Sequence, residues 1–499
     1  MDKCDMLRGQ RKTRLLLLLG LLIALSFLRY ALHRAVHQAR AQKSTPDKFA
    51  LDSKGCRILS RKIEEKATNR TRIICSQEQK FANGHKCCYT NIFGVFGDDN
   101  SFRLGDACRP MEELLVPESG MQLRGNDVPE FIRVSCGSDE NVHFRPFVPF
   151  KDQVEDRCNK LPKRPHQVSV LLFIIDSNSR WRAEQEFPST METLRRMSAV
   201  NLKGQSPVGN DAFANLVPLL MGQAVDELDD VCGWPSPRPE RPKFDQCPHL
   251  WRSFAEQGFR TLFADLPTRA AIFNSQEGGF ASPPTDYYPR PFFLAAEGPS
   301  GCVGRRTETS VLLRYVQTFV RRFASSRYLA VVRVARSAPD QALSEALKTL
   351  RRRKQLENTV LVVLTAGEIP PKGAVEEFLP LVSISFPAWF ESKFPAAMTN
   401  LRKNSEDRLT TPFDLHLTLK DLAEPSRTLN AAHLSQRQAE ISNLSVNMAF
   451  EFIFSLEIIF LKSAEGSEFV FGDFGLEELL GGTRPSQVVP LPQPKAWID

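Results

Sequence analysis

The chain is poor in histidine. Its 499 residues include eight, and only His249, His416 and His433 lie beyond residue 168. A hydrolytic centre with two metals wants about three protein ligands for each ion, so so few histidines exclude a histidine-rich one. No Cys-x-x-Cys pair occurs and Cys87 and Cys88 are adjacent, which argues against a structural zinc. No nucleic-acid-binding motif accompanies the basic runs, so no nucleic-acid partner is expected. No small-x-small cleavage site closely follows the amino-terminal apolar run; Ala39-Arg40-Ala41 is too far downstream. No internal repeat is present.

What is present is ordinary for a large globular chain: 42% hydrophobic, 25% charged and a mild net charge of +7. That length is enough for one large core or two domains. The run Arg351-Arg352-Arg353-Lys354 reads as a solvated helix face or as an anionic-ligand patch. Residues 1–14 carry five Lys/Arg against two Asp, and Leu15–Leu28 is an apolar stretch of fourteen. A membrane span usually takes about 20 residues, but the flank Arg29–Ala35 can extend the helix. The expectation is an uncleaved type II signal-anchor over 15–32, with 1–14 in the cytosol and the remainder in the lumen or outside the cell. A cleaved signal peptide is the alternative.

Of eleven cysteines, Cys4 falls on the cytosolic side. The other ten suit up to five disulfides in an oxidising compartment. Seven of them lie in 51–165, where short apolar runs alternate with Gly, Pro, Asn and Asp. This predicts a disulfide-stapled module of short strands after a basic stem at 33–50. Two sequons, Asn69-Arg70-Thr71 and Asn443-Leu444-Ser445, fit a glycosylated luminal chain.

From about residue 166 to 435 the texture changes to apolar strands alternating with helices. Strands are expected at Val168–Ile175, Arg260–Ala264, Tyr328–Val334, Thr359–Leu364 and Leu379–Phe386. Helices are expected at Pro188–Met197, Leu250–Gln257, Ser310–Phe323, Gln341–Lys354 and from Pro412. Continuously apolar strands separated by helices predict a mostly parallel sheet covered on both faces. Beyond that, 436–499 is a divergent tail, with a very apolar stretch at Ala449–Leu461 and a Pro-rich end. It reads as a strand pair, a loosely ordered tail or a gene-model artefact.

Two blocks carry the functional argument. VSVLLFIIDSNSRWR (Val168–Arg182) ends its apolar run at Asp176, at the carboxyl end of a strand, where open α/β sheets bind ligands. PVGNDAFANLVPLLMG (Pro207–Gly222) opens a helix at Ala212, where a hydroxyl nucleophile would be expected.

These blocks, together with GGFASPPTDYYPRPF (Gly278–Phe292), NTVLVVLTAGE (Asn358–Glu368), EEFLP (Glu376–Pro380) and LTTPFDLHLTLKDL (Leu409–Leu422), resemble a metazoan membrane-anchored family of the alkaline phosphatase/sulfatase superfamily. That family is known as a domain of unknown function, DUF229. The resemblance covers roughly residues 75–435 and implies an alkaline-phosphatase-like α/β/α sandwich. Enzymes of the superfamily cleave phosphate or sulfate esters, or transfer phospho-groups, with a hydroxyl or modified-cysteine nucleophile beside divalent metal.

Carried over by position, Asp176 keeps the first metal carboxylate, and Asp414 and His416 are also present. The nucleophile position is Ala212, and two further ligand positions are Thr365 and Ala366. The loop after Tyr328–Val334 reads Ala335-Arg336-Ser337-Ala338, without the family's His-Asp pair. Each survivor has a plainer reading. Asp176 caps the following turn, His416 is a satisfied helix histidine, and Asp414 favours a helix's first turn. Asp211 stands one residue off the nucleophile position, which would re-aim it. The segment Pro283–Tyr288 is a rigid structural loop or a substrate-contacting rim.

The leading expectation is a catalytically silent member of the superfamily that keeps its fold as a luminal or extracellular binding or scaffolding module. Its partner would be a protein or glycan, and no cofactor is expected. The alternative is a metal-dependent ester hydrolase or phospho-group transferase with a rearranged site, holding residual Zn, Mn or Ca on Asp176, Asp414 and His416.

Overall fold

The computed structural model describes residues 49–52, 57–59, 75, 87–114, 128–136, 142–162, 166–177, 179–234, 243–274, 278–298, 301–368, 378–423, 459–462 and 469–472. The expected anchor and stem, Cys4, Cys56, both sequons (Asn69 and Asn443) and most of 436–499 lie outside them. Among the described residues no helix is long and apolar enough to cross a membrane. The chain divides into two compact units, Met1–Phe49 and Ala50–Asp499.

The amino-terminal part of the second unit is an antiparallel sheet built on β1 (Cys87–Val95), β2 (Asp98–Leu104), β3 (Phe131–Cys136) and β4 (Val142–Pro146), in the order β2-β1-β3-β4. Arg109–Pro110 pairs along β1 as well. Tyr89, Ile132 and Val134 form its small core. With so little apolar area to bury, covalent staples matter more. Cys87–Cys136 joins directly paired residues of β1 and β3, and Cys88–Cys108 ties the adjacent loop.

The larger part is a six-stranded sheet formed by β5 (Ser169–Ile175), β6 (Val200–Asn201), β7 (Arg260–Asp265), β8 (Tyr328–Val334), β9 (Thr359–Thr365) and β10 (Val382–Ser385). The order is β7-β8-β5-β9-β10-β6. The first four are parallel; β10 and β6 complete the edge antiparallel. Every residue of β5, β8 and β9 is buried. Alternation across the pleat sends Leu171, Phe173 and Ile175 to one face and Val170, Leu172 and Ile174 to the other. This is the mostly parallel, doubly covered sheet that continuously apolar strands separated by helices predict.

Helices α1 (Pro188–Arg196), α2 (Ala212–Met221), α3 (Leu250–Glu256), α4 (Glu308–Arg322), α5 (Asp340–Arg352) and α6 (Pro412–Ala423) provide the covering layers. Apolar residues of α1, α4 and α5 pack on one face, and those of α2, α3 and α6 on the other, which makes a three-layer sandwich. Helix ends are closed from near and far. Thr307 accepts from Ser310 N at 3.2 Å, while α1 borrows its cap from α5, Asp340 accepting from Ser189 N and Thr190 N at 2.8 Å each.

Two more disulfides complete the described set: Cys232–Cys247 and Cys75–Cys302, the latter 227 residues apart in sequence. The upper figure of five disulfides is not reached among the described residues. Cys158 is a buried free thiol with Arg157 Nη2 at 3.6 Å from its Sγ. In the tail, Ile459–Lys462 and Phe469–Gly472 form an antiparallel pair, and the latter runs parallel to Arg57–Leu59.

Candidate functional site

In the register of the central strands, Val334, Ile175 and Thr365 stand side by side at the carboxyl edge. Asp176 is the next residue out. Its amide donates to Val334 O at 3.0 Å, and Ala366 N donates to Ile175 O at 3.0 Å on the other side. Asp176 thus stands at the carboxyl edge of the sheet, the edge at which open α/β sheets bind ligands.

The chemistry at that edge differs from what a metal would need. Arg333, one residue from the end of β8 and 4% exposed, reaches Asp176 Oδ2 with Nη2 at 3.0 Å and Asp265 Oδ1 with Nη1 at 2.9 Å. Nη1 also donates to Ala270 O at 3.1 Å. Burial works against the guanidinium charge, but Asp265 and Asp176 more than offset it, and the pKa rises above its ordinary value. A permanent cation built into the sheet thus answers the carboxylate that a divalent metal would use. Asp265 is also held by Ile272 N at 2.7 Å.

The nucleophile position is equally committed. Ala212 is the first residue of α2, and Asp211 is that helix's N-cap, accepting from Ala214 N at 2.8 Å. Buried Asn215 then fastens the preceding loop. Its Oδ1 accepts from Val208 N at 2.8 Å, and its Nδ2 donates to Gly209 O at 2.7 Å and Asp211 O at 2.8 Å. The residues after Pro207 thereby shape the entry to a helix.

Thr365 and Ala366, at the positions of the family's further ligands, are both buried. Thr365 Oγ1 accepts from Leu381 N at 2.9 Å, which closes the turn toward β10. A pocket of about 30 Å³ remains beside them, lined by Thr365, Ala366, Gln205, Asn215 and Leu216 among others. That is room for about one water, not for an ester. The loop after β8 holds Arg336, which pairs with Glu186 Oε1 at 2.7 Å.

Asp414 and His416 lie on α6 and turn to local tasks. Asp414 Oδ2 accepts from Thr411 N at 2.7 Å and Thr411 Oγ1 at 2.8 Å, reaching back across the first turn as in a capping box. Burial raises its pKa. His416 is buried against α2, where Nδ1 donates to Leu219 O at 2.9 Å. Its ring edge lies against Gly222, the left-handed cap of α2 (φ 71°), where an added Cβ would stand 2.7 Å from Nε2. Burial lowers the imidazole's pKa. Asp176, Asp414 and His416 are therefore not gathered into one donor set. Among the described residues, no group of three or more His, Cys, Asp or Glu could hold a metal ion. The residues present do not fit the superfamily's metal centre.

Residues Pro283–Tyr288 work as a structural joint. Asp286 binds Arg157 through both oxygens, at 2.7 and 2.8 Å, and accepts from Thr261 N at 2.8 Å. Tyr288 donates its hydroxyl to Asp99 in the amino-terminal sheet at 2.9 Å. His249 follows disulfide-bonded Cys247, stacked on Trp251 with ring centroids 4.3 Å apart.

Residues 50–446 match the family described as protein of unknown function (DUF229). The chain belongs to that family. Among solved structures it is similar to a protein in the alkaline phosphatase superfamily from Vibrio parahaemolyticus, at 10% identity over 48% of this chain and 68% of that one, with a TM-score of 0.32. It is also similar to the putative sulfatase YidJ from Bacteroides fragilis, at 10% identity over 53% and 80%, with a TM-score of 0.32. A third likeness is to the C-terminal periplasmic domain of EcEptC from Escherichia coli, at 12% identity over 55% and 91%, with a TM-score of 0.33. No curated protein matches the sequence.

Sequence reasoning missed Arg333 and Asp265. The one signal was a lone cation inside the otherwise apolar YLAVVRV, one residue before the strand end. An arginine there needs buried carboxylates nearby, and two neighbouring strands each offer one at the same edge.

Proposed function

We propose that this DUF229 protein is a catalytically silent member of the alkaline phosphatase/sulfatase superfamily, acting as a binding or scaffolding module in the secretory pathway or outside the cell. The observation that carries the reading is Arg333, locked between Asp176 and Asp265 where a metal's charge would be needed. Ala212 supplies no nucleophile, and the Thr365 hydroxyl is spent on Leu381. Four disulfides support an oxidising compartment.

Elemental mass spectrometry of the purified chain, beside Asp176→Asn, tests it together with a screen of phosphate and sulfate esters. The expected result is no stoichiometric divalent metal in either protein, and no hydrolysis gained by Ala212→Thr. About one equivalent of metal lost on Asp176→Asn, or turnover restored by Ala212→Thr, would overturn silence in favour of a rearranged hydrolase or phospho-group transferase.

A further inference from the structure

Away from the strand edge, a cleft of about 980 Å³ opens between the amino-terminal sheet and the larger part of the molecule. One wall is β3 and β4; the other is α4 and the short hairpin Cys302–Thr307 that leads into it. That hairpin turns on two residues. Gly304 takes a positive φ of 58°, and Arg305 stands exposed beside it. The pattern of one positive φ at the first turn position suits a tight hairpin, and it pushes Arg305 and Arg306 outward at the cleft's margin. Cys302, at the hairpin's base, is held to Cys75.

Four arginines line the cleft: Arg145 from β4, Arg305 and Arg306 from the hairpin, and Arg314 from α4. All are exposed. None forms an ion pair within the described residues, whereas Arg157, Arg333 and Arg336 are each answered by a carboxylate. Among the described residues, Glu112 is the sole acidic residue on the cleft's lining, and no lysine lies there. Clustered like charges raise the local potential and draw in anions. The arginine fork suits tetrahedral oxyanions because it gives two parallel hydrogen bonds to one group. The cleft lies near the upper end of ligand-pocket sizes, about 300–1,000 Å³, so it holds several linked units rather than one ion. Phe144, Phe147 and Tyr315 add apolar surface for a ring to rest on.

We infer that this cleft binds a sulfated polysaccharide, with Arg145, Arg305, Arg306 and Arg314 pairing its sulfate groups. The inference rests on the binding role proposed above and gives it a place and a chemistry. A sulfated chain is favoured over a nucleic acid or an acidic peptide by the surroundings. The Cys87–Cys136 disulfide lies on the cleft wall, and disulfides persist in oxidising compartments, where sulfated glycans are the abundant polyanions.

The test titrates the full-length chain with heparin oligosaccharides at about 0.15 M salt, the regime in which exposed charges are screened beyond about 8 Å, in the presence of EDTA. The same chains after chemical desulfation, polyglutamate and single-stranded DNA are the comparison ligands. The triple variant Arg305→Ala/Arg306→Ala/Arg314→Ala is expected to weaken heparin binding at least about tenfold, as losing several charge-assisted pairs should. Arg352→Ala/Arg353→Ala, in the other basic run, should change it less than about twofold, as expected of a solvated helix face. If the triple variant does not fold, Arg145→Ala alone decides, with a loss of at least about threefold expected for one such pair. Equal binding by the cleft variant, an equal loss in the control variant, or equally tight binding of desulfated glycan, polyglutamate or DNA would each overturn the inference. Because EDTA is present, metal found at Asp176 would sink catalytic silence and leave the cleft standing, and a failed cleft would leave silence standing.

Discussion

At the carboxyl edge of the sheet, charge is answered from within the chain: Arg333 by Asp176 and Asp265, Arg336 by Glu186. In the cleft beside α4, four arginines face solvent and form no ion pair among the described residues. The first region is costly to disturb and closed to ligands; the second is cheap to mutate and open to them. Desolvated charge is tolerated only with partners in place, so a site that satisfies itself can be kept by folding alone. Exposed charge is under no such constraint, and the cleft arginines contribute to a bound state more than to the fold.

The sharpest way to break the comparison is Arg333→Met. It leaves Asp265, 5% exposed at its side chain, buried with a negative charge and one partner fewer. A loss of about 3–5 kcal/mol is expected in urea unfolding, and Asp265→Asn in the same chain should recover part of it. A loss below about 1 kcal/mol would mean that the edge is held by packing and not by the ion pair.

A second test concerns His249, another interior polar group. Nε2 donates to Phe244 O at 2.9 Å, and burial holds the imidazole's pKa down at about 3, against an ordinary 6.5. The unfolded chain therefore takes up the proton first. The contribution is fully present above pH 6.5 and is lost as pH falls from 6.5 toward 3, at about 1.4 kcal/mol per unit. Between pH 7 and 5 this amounts to about 2 kcal/mol, with His416 acting in the same direction. Denaturation curves at the two pH values should show the drop, and His249→Phe should flatten it; an unchanged slope would show that the histidine is not the titrating group.

The smallest expected effect sharpens the contrast most. Arg145→Ala and Arg314→Ala should each move unfolding stability by less than about 0.5 kcal/mol, even though each is expected to weaken binding. A melting temperature that falls markedly in either variant would mean that the cleft arginines are structural after all.

The legible part of this molecule is what a single continuous stretch specifies. Tyr328–Val334 and Pro188–Arg196 were readable to within a residue because an apolar run broken only by Arg333 and a 3.6-residue apolar stripe each state their own element. Asp176 was readable as a strand-end carboxylate for the same reason. Its partner was not, because Arg333 meets Asp176 only once β8 and β5 are placed side by side in register. The two poles of the cleft are harder still. Arg145 and Arg305 are brought to one place by an interface that no local pattern encodes. The disulfide connectivity belongs to the same class of long-range information, and buried Cys158 shows that an even cysteine count does not enforce pairing.

The bond between Cys75 and Cys302 encloses every strand of the amino-terminal sheet and half of those of the larger one. A protease that cuts once anywhere between those two residues produces fragments that remain covalently attached. A clipped molecule would therefore run as a single species until a reductant is added, nearly whole in mass while severed in sequence.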